Sequence, residues 1–142
     1  MRAPCYCDFV AIEIARLNEI SGAIIGAAIN VHRELGPGLL ESAYGICLQH
    51  ELRLSQLSAE RELALAVTYR GLRVEHAYRL DLLVERCVVV ELKAVEHLHP
   101  VHKVQLLTYL RLGGYPLGLL INFHAMPLWK GVTRMANADL RG

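Results

Sequence analysis

The chain has 142 residues, 54% of them hydrophobic, with 15 Lys and Arg against 14 Asp and Glu for a formal charge of +1. That length suits one domain with a real core, and the near-balance of charge excludes a uniformly basic nucleic-acid binder while leaving room for a local basic face. No apolar run reaches the roughly 18 residues of a membrane helix, so no membrane partner is expected and the oily surplus belongs to a filled core or to a subunit interface in a homo-oligomer.

Residues 1–17 show little pattern beyond the apolar stretch Phe9 to Ile14 and are expected to form a mobile lead-in or a short extra helix. A single domain is expected over 18–142. Asp8 and Glu13 break any apolar core of a signal peptide, which points to the cytoplasm. Cys5, Cys7, Cys47 and Cys87 lack the double-pair spacing of a zinc site and are expected to be reduced thiols.

Asn18 is placed to cap a first helix running to about Leu35, with Ile20, Ile24, Ala28, Val31 and Leu35 as its apolar stripe. Gly22 and Gly26, one turn apart, would let another element approach closely. Gly36-Pro37-Gly38 ends that helix, and a second follows from about Leu39 to Leu54. In 62–69, Leu63, Leu65, Val67 and Tyr69 alternate as a strand. Arg70-Gly71 marks a turn, Val74 to Val84 a second strand, Glu85-Arg86 a second turn, and Cys87 to Ala94 a third strand. Pro100 suits the first turn of a helix and Gly113-Gly114 its end. Leu117 to Phe123 is a continuous apolar run, as in a strand covered on both faces. The tail beyond it has no defined pattern. The order α, α, β, β, β, α, β predicts an α/β fold: an antiparallel meander, a helical crossover, and a last strand parallel to the third.

Three acids and a lysine stand against apolar neighbours. Glu91 and Lys93 share one face of the third strand, Asp81 lies on the second, and Glu41 opens the second helix. Each has an ordinary reading. Glu41 is favoured by the helix dipole, Asp81 can pair with Arg79, and Glu91 with Lys93 can be a surface ion pair of little worth. Taken together they fit a site. Carboxylates on adjacent strands can share one hard cation such as Mg²⁺ or Mn²⁺, which polarises a phosphoryl oxygen, while a lysine holds the attacking water. The register decides this. A two-residue loop at Glu85-Arg86 would pair Asp81 with Val90 and throw Glu91 to the other face, so a shared cation requires an odd loop such as Glu85-Arg86-Cys87, or a bulge.

Asp81 followed by Glu91-Leu92-Lys93, in an αβββαβ order, resembles the PD-(D/E)XK nuclease superfamily. Its core is restriction-endonuclease-like, a mixed sheet flanked by helices. Gly38 to Tyr44 ("GLLESAY") resembles the signature of its GxxExxY branch, and the likeness extends over roughly Leu17 to Arg134. One departure is Leu80, where the motif's name has proline. The resemblance implies that Asp81 and Glu91 ligate the metal, with the carbonyl of Leu92 as a further oxygen, and that Lys93 handles the attacking water. It implies that Glu41 is an accessory metal ligand or an acid supporting the ligands from behind, and that Gln105 is a polar residue over the site, with Tyr109 of the same pattern as a substrate contact. The implied substrate is DNA or RNA.

Other residues have two readings. His97, His99 and His102 are either solvated loop and cap histidines or zinc ligands; His102 is near enough in sequence to Lys93 to contact phosphate at the rim, as is Lys103. Gln105 is either catalytic or a structural hydrogen-bonding residue. Trp129 with Lys130 either packs or stacks a base. The function expected is a metal-dependent phosphodiester hydrolase acting on nucleic acid. The rivals are a catalytically silent nucleic-acid- or protein-binding module of the same fold, and an assembly subunit.

Overall fold

In the computed structural model, which describes residues 14–138, the elements follow as α1 (Ile14–Leu35), α2 (Glu41–Leu54), β1 (Ala59–Tyr69), β2 (Leu72–Val84), β3 (Val88–Lys93), α3 (Pro100–Gly113), β4 (Leu117–Asn122) and β5 (Val132–Ala136). The strands form one sheet in the order β1-β2-β3-β4-β5. β1, β2 and β3 are the expected antiparallel meander. β3 and β4 run parallel, from Val88 opposite Leu117 to Lys93 opposite Asn122, and α3 makes the connection between them.

The apolar runs place the layers. On one side of the sheet Val88, Val90, Leu92, Leu119 and Ile121 pack with Ile24 and Ala28 of α1 and Leu48 of α2. On the other, Leu83, Val89 and Leu120 pack with Leu106 and Leu110 of α3. β3 and β4 are therefore buried on both faces, as their unbroken apolar sequence requires. At Gly118 a β-carbon would lie 2.9 Å from Leu106 Cδ1, so α3 rests directly on the β4 backbone. Gly114 ends α3 in the left-handed conformation (φ 71°), and Pro100 opens it. Arg70 (φ 47°) and Gly71 (φ 85°) form the two-residue turn between paired Tyr69 and Leu72.

Four expectations are corrected. α1 begins at Ile14, so residues 14–17 of the expected lead-in are helical; residues 1–13, with Cys5 and Cys7, lie outside the described residues. Asn18 caps nothing: it sits inside α1, and its Oδ1 accepts a 2.6 Å bond from Arg134 Nη2 on β5. Gly22 and Gly26 face open space, with nothing within 4 Å of a β-carbon at either. The tail forms β5, antiparallel to β4 from Leu117–Ala136 to Ile121–Val132. Cys47 and Cys87 are free thiols, Cys87 fully buried in the β2–β3 turn. Among the described residues no helix is long and apolar enough to cross a membrane.

The loop between α1 and α2 is held by one hydroxyl. Gly36 (φ 68°) and Gly38 (φ 105°) supply the left-handed turns. Tyr44 Oη accepts from the Leu39 N–H at 3.1 Å and donates to the Gly36 carbonyl at 2.5 Å, while its ring stacks on Phe123 with centroids 4.3 Å apart. Tyr44→Phe keeps the stack and strips both bonds. It should cost about 1–2 kcal/mol in urea denaturation; a variant as stable as the wild type would mean that the loop is fixed by other contacts.

Candidate active site

The β2–β3 turn is the odd loop that a shared site requires. Val84 pairs with Val88, Leu83 with Val89 and Leu82 with Val90, leaving Glu85, Arg86 and Cys87 as the connection. Glu85 (φ 51°) and Arg86 (φ 55°) are both left-handed, and the Cys87 N–H donates to the Val84 carbonyl at 3.1 Å. Continued one step, this register sets Asp81 opposite Glu91.

At that step the backbone ladder stops and carboxylates take over. The Asp81 N–H donates to Glu91 Oε1 at 3.2 Å, and the Leu92 N–H donates to Asp81 Oδ2 at 2.8 Å. The side chains satisfy two donors that strand pairing would otherwise use, so the strands can part without orphaning their backbone. β2 also reverses its faces here. Leu82 packs on the α1–α2 side and Leu80 on the α3 side, with Asp81 between them. On β1, Glu62 has φ 54° at the neighbouring position.

Glu91 is 5% exposed. Burial first, and then the neighbouring Asp81 charge, push its carboxyl up to about 9. Neither ordinary pairing forms: among the described residues Asp81 makes no ion pair with Arg79, and the Lys93 ammonium has neither a hydrogen bond nor an ion pair. Glu41, at the first position of α2, reaches across to β3, where its Oε2 accepts from the Ala94 N–H at 3.3 Å. The strand end is fixed from the other side by buried Asn122. Its Oδ1 accepts from the Val95 N–H at 3.1 Å and its Nδ2 donates to the Val95 carbonyl at 2.8 Å.

α3 contributes a polar rim. His99 Nδ1 accepts from the Val101 N–H, and His102 Nδ1 accepts from the His99 N–H, so both histidines cap the helix. Burial, and then the Lys93 and His99 charges, hold the His102 imidazole below its ordinary value, with Glu41 opposing. Lys93, Glu41 and His102 therefore share one neighbourhood. Gln105 is exposed and donates to Tyr109 Oη at 2.8 Å. Tyr109 stacks on Tyr78 at 5.0 Å, and burial followed by the Glu91 charge raises its phenol. Lys103 is exposed on the same helix, and His97 is exposed beside Glu96. Trp129 departs from the packing expectation: it is 62% exposed, with Lys130 Nζ 5.8 Å from its ring centroid.

Two residues were not legible as part of the site. Arg61 and Arg79 line a cleft of about 210 Å³ with Glu41, Asp81 and Leu92. Arg79 carried a signal in lying two residues before Asp81 on the same strand; Arg61 carried none.

The donor set suits a hard cation. The Asp81 and Glu91 carboxyls also hydrogen-bond to each other, and two adjacent carboxylates repel unless a proton or a cation lies between them. No group of three His, Cys, Asp or Glu side chains converges as a ligand set among the described residues. Without divalent cations, Glu91 keeps its proton in the folded chain and loses it on unfolding. Stability contributed by this group is therefore present below about pH 4.5 and is lost as pH rises toward 9. In EDTA, Glu91→Gln should flatten that decline between pH 5.5 and 8.5 in urea denaturation; parallel curves for variant and wild type would mean that Glu91 is not the group responsible.

Neither the curated proteins nor the solved structures contain a match to this chain. A family model described as the PD-(D/E)XK nuclease superfamily matches residues 18–135, a span that holds the β2–β3 fork, Glu41, Lys93 and all of α3. The fold, a five-stranded mixed sheet between helices with its acids where β2 and β3 part, agrees with that match, and the chain belongs to the PD-(D/E)XK nuclease superfamily.

Proposed function

We propose that this chain is a metal-dependent nuclease, hydrolysing phosphodiester bonds in DNA or RNA. The observation that carries the reading is the fork: Glu91 anchored by the Asp81 N–H and Asp81 by the Leu92 N–H, the two carboxyls in contact, beside a lysine with no hydrogen bond or ion pair among the described residues. Membership of the superfamily supports it. The stretch Gly38 to Tyr44, with its Tyr44 clamp and the reach of Glu41 to Ala94, supports placement in the GxxExxY branch.

In this reading Asp81 and Glu91, with the Leu92 carbonyl, hold Mg²⁺ or Mn²⁺, which when bound supplies positive charge against the phosphoryl oxygens. Lys93 Nζ holds the attacking water by hydrogen bond and meets the negative charge that develops at phosphorus. Glu41 fixes the exit of β3, and so the direction of Lys93, through Ala94. Gln105 and Tyr109 present an amide oxygen and a phenol O–H at the rim. His102, whose Nδ1 is engaged by His99, keeps Nε2–H as a donor to phosphate, and Lys103 adds charge beside it.

Two measurements test this. Millimolar Mg²⁺ or Mn²⁺ should raise the melting temperature, and Asp81→Asn should abolish the rise; a full response in the variant would place the metal elsewhere. The wild type should cut at least one of single-stranded, duplex and branched nucleic acid with either metal. Lys93→Ala should still bind that substrate but cut it slower by about 10²–10³. Binding without any cleavage by the wild type would favour a silent binding module. Equal rates in Lys93→Ala would mean a different active site.

A further inference from the structure

The α2-side cleft contains two arginines to which the proposed chemistry gives no task. Arg61 comes from β1 and Arg79 from β2, and Asp81 and Glu41 share the same concave wall. Arg61 is held in place: its side chain is 22% exposed and its Nη2 lies 3.5 Å from Glu62 Oε1. Arg79 is exposed and has no hydrogen bond or ion pair among the described residues, although Glu41, Glu62 and Asp81 line the cleft with it. Gly45 of α2 keeps the space open. A β-carbon there would stand 3.4 Å from both Arg61 Nε and Leu92 Cδ1, and anything longer would intrude on the cleft.

Strand geometry makes this more than surface charge. Arg79 and Asp81 lie two apart on β2 and both line this cleft, with Leu80 between them turned to α3 and the strand reversing its faces only beyond it. A group bound by Arg79 therefore lies one strand repeat, roughly 6–7 Å, from a group bound at Asp81. Successive phosphates along a nucleic-acid strand are separated by a comparable distance. A guanidinium also matches phosphate oxygens with two parallel donors, which an ammonium does not.

We infer that Arg79, backed by Arg61, binds the phosphodiester next to the one at the fork, so that the substrate strand lies along the α2-side cleft. The inference rests on the nuclease reading and adds to it the side on which the strand is held and the residues that hold it. Arg79 is a binding residue here, with no part in the bond-breaking step.

The test is binding of a fluorescein-labelled single-stranded oligonucleotide, and of its duplex, by the full chain in Ca²⁺ at several salt concentrations. Arg79→Gln should weaken binding about tenfold and reduce the slope of log K against log salt by about 0.7 for the single strand. Its melting temperature should stay at the wild-type value, because Arg79 has no partner to lose. Arg79→Lys should restore the slope and only part of the affinity. Arg73→Gln, on the β1–β2 hairpin and paired with Glu75, should behave as wild type. Unchanged slope and affinity in Arg79→Gln, with the wild type binding, would overturn the inference and leave the nuclease reading standing. A lowered melting temperature with an unchanged slope would assign Arg79 a structural role and overturn it too. A wild type that binds neither oligonucleotide would remove both.

Discussion

Two backbone N–H groups at the parting of β2 and β3 bond to carboxylates instead of to a strand. Asp81 donates to Glu91, and Leu92 donates to Asp81. A buried carboxylate without such donors would cost several kcal/mol, and a sheet that opened without them would orphan its own amides. The exchange answers both costs at once. It lets the sheet fork, and it pins two acids side by side with their carboxyls in contact. Every other part of the candidate site is arranged around that pair.

The helices and β4 supply rigidity that the fork lacks. The Tyr44 hydroxyl closes the glycine loop that sets where α2 begins, and with it where Glu41 stands. Asn122 bonds both backbone groups of Val95, and the Phe123 N–H bonds the Lys93 carbonyl at 2.8 Å. The exit of β3 is thus tied to α2 on one side and to β4 on the other. Lys93 stands on strand backbone held from both sides, while among the described residues its ammonium has no hydrogen bond or ion pair. A group needed for charge that appears only during a reaction works best when its position is fixed beforehand and its charge is not already spent.

The overall charge of +1 conceals a local pattern. Arg61 and Arg79 line the α2 side of the fork, and Lys103, His102 and the Gln105–Tyr109 pair lie along α3. Acids concentrate between these flanks. Cationic and hydrogen-bonding side chains on either side of a carboxylate pair, with little net charge elsewhere, are what the proposed nuclease reading needs of a protein that meets nucleic acid at one place.

Much of this was legible because side-chain alternation and helical period are local. The doubly apolar run Val88 to Leu92 announces a central strand, Pro100 and Gly114 bracket α3, and Glu91 with Lys93 shows as charge set into an apolar segment. The sequence even states the condition on the β2–β3 loop, since strand period makes one residue more or less decisive. It does not say which loop forms, because Glu85 and Arg86 are not residues that announce left-handed backbone. β5 escaped notice because it is a short edge strand of mixed polarity, defined by pairing with β4 more than by its own pattern. Asn18 has the residue type of a cap and instead bonds Arg134, 116 residues away. Glu41 meets Ala94 across 53 residues, and Arg61 joins Asp81 only because β1 lies beside β2. Composition and period determined the elements, the layers and the acids set within them. Which backbone donors are left for those acids, and which arginines share their cleft, was decided by register and packing between distant segments, which no local pattern encodes.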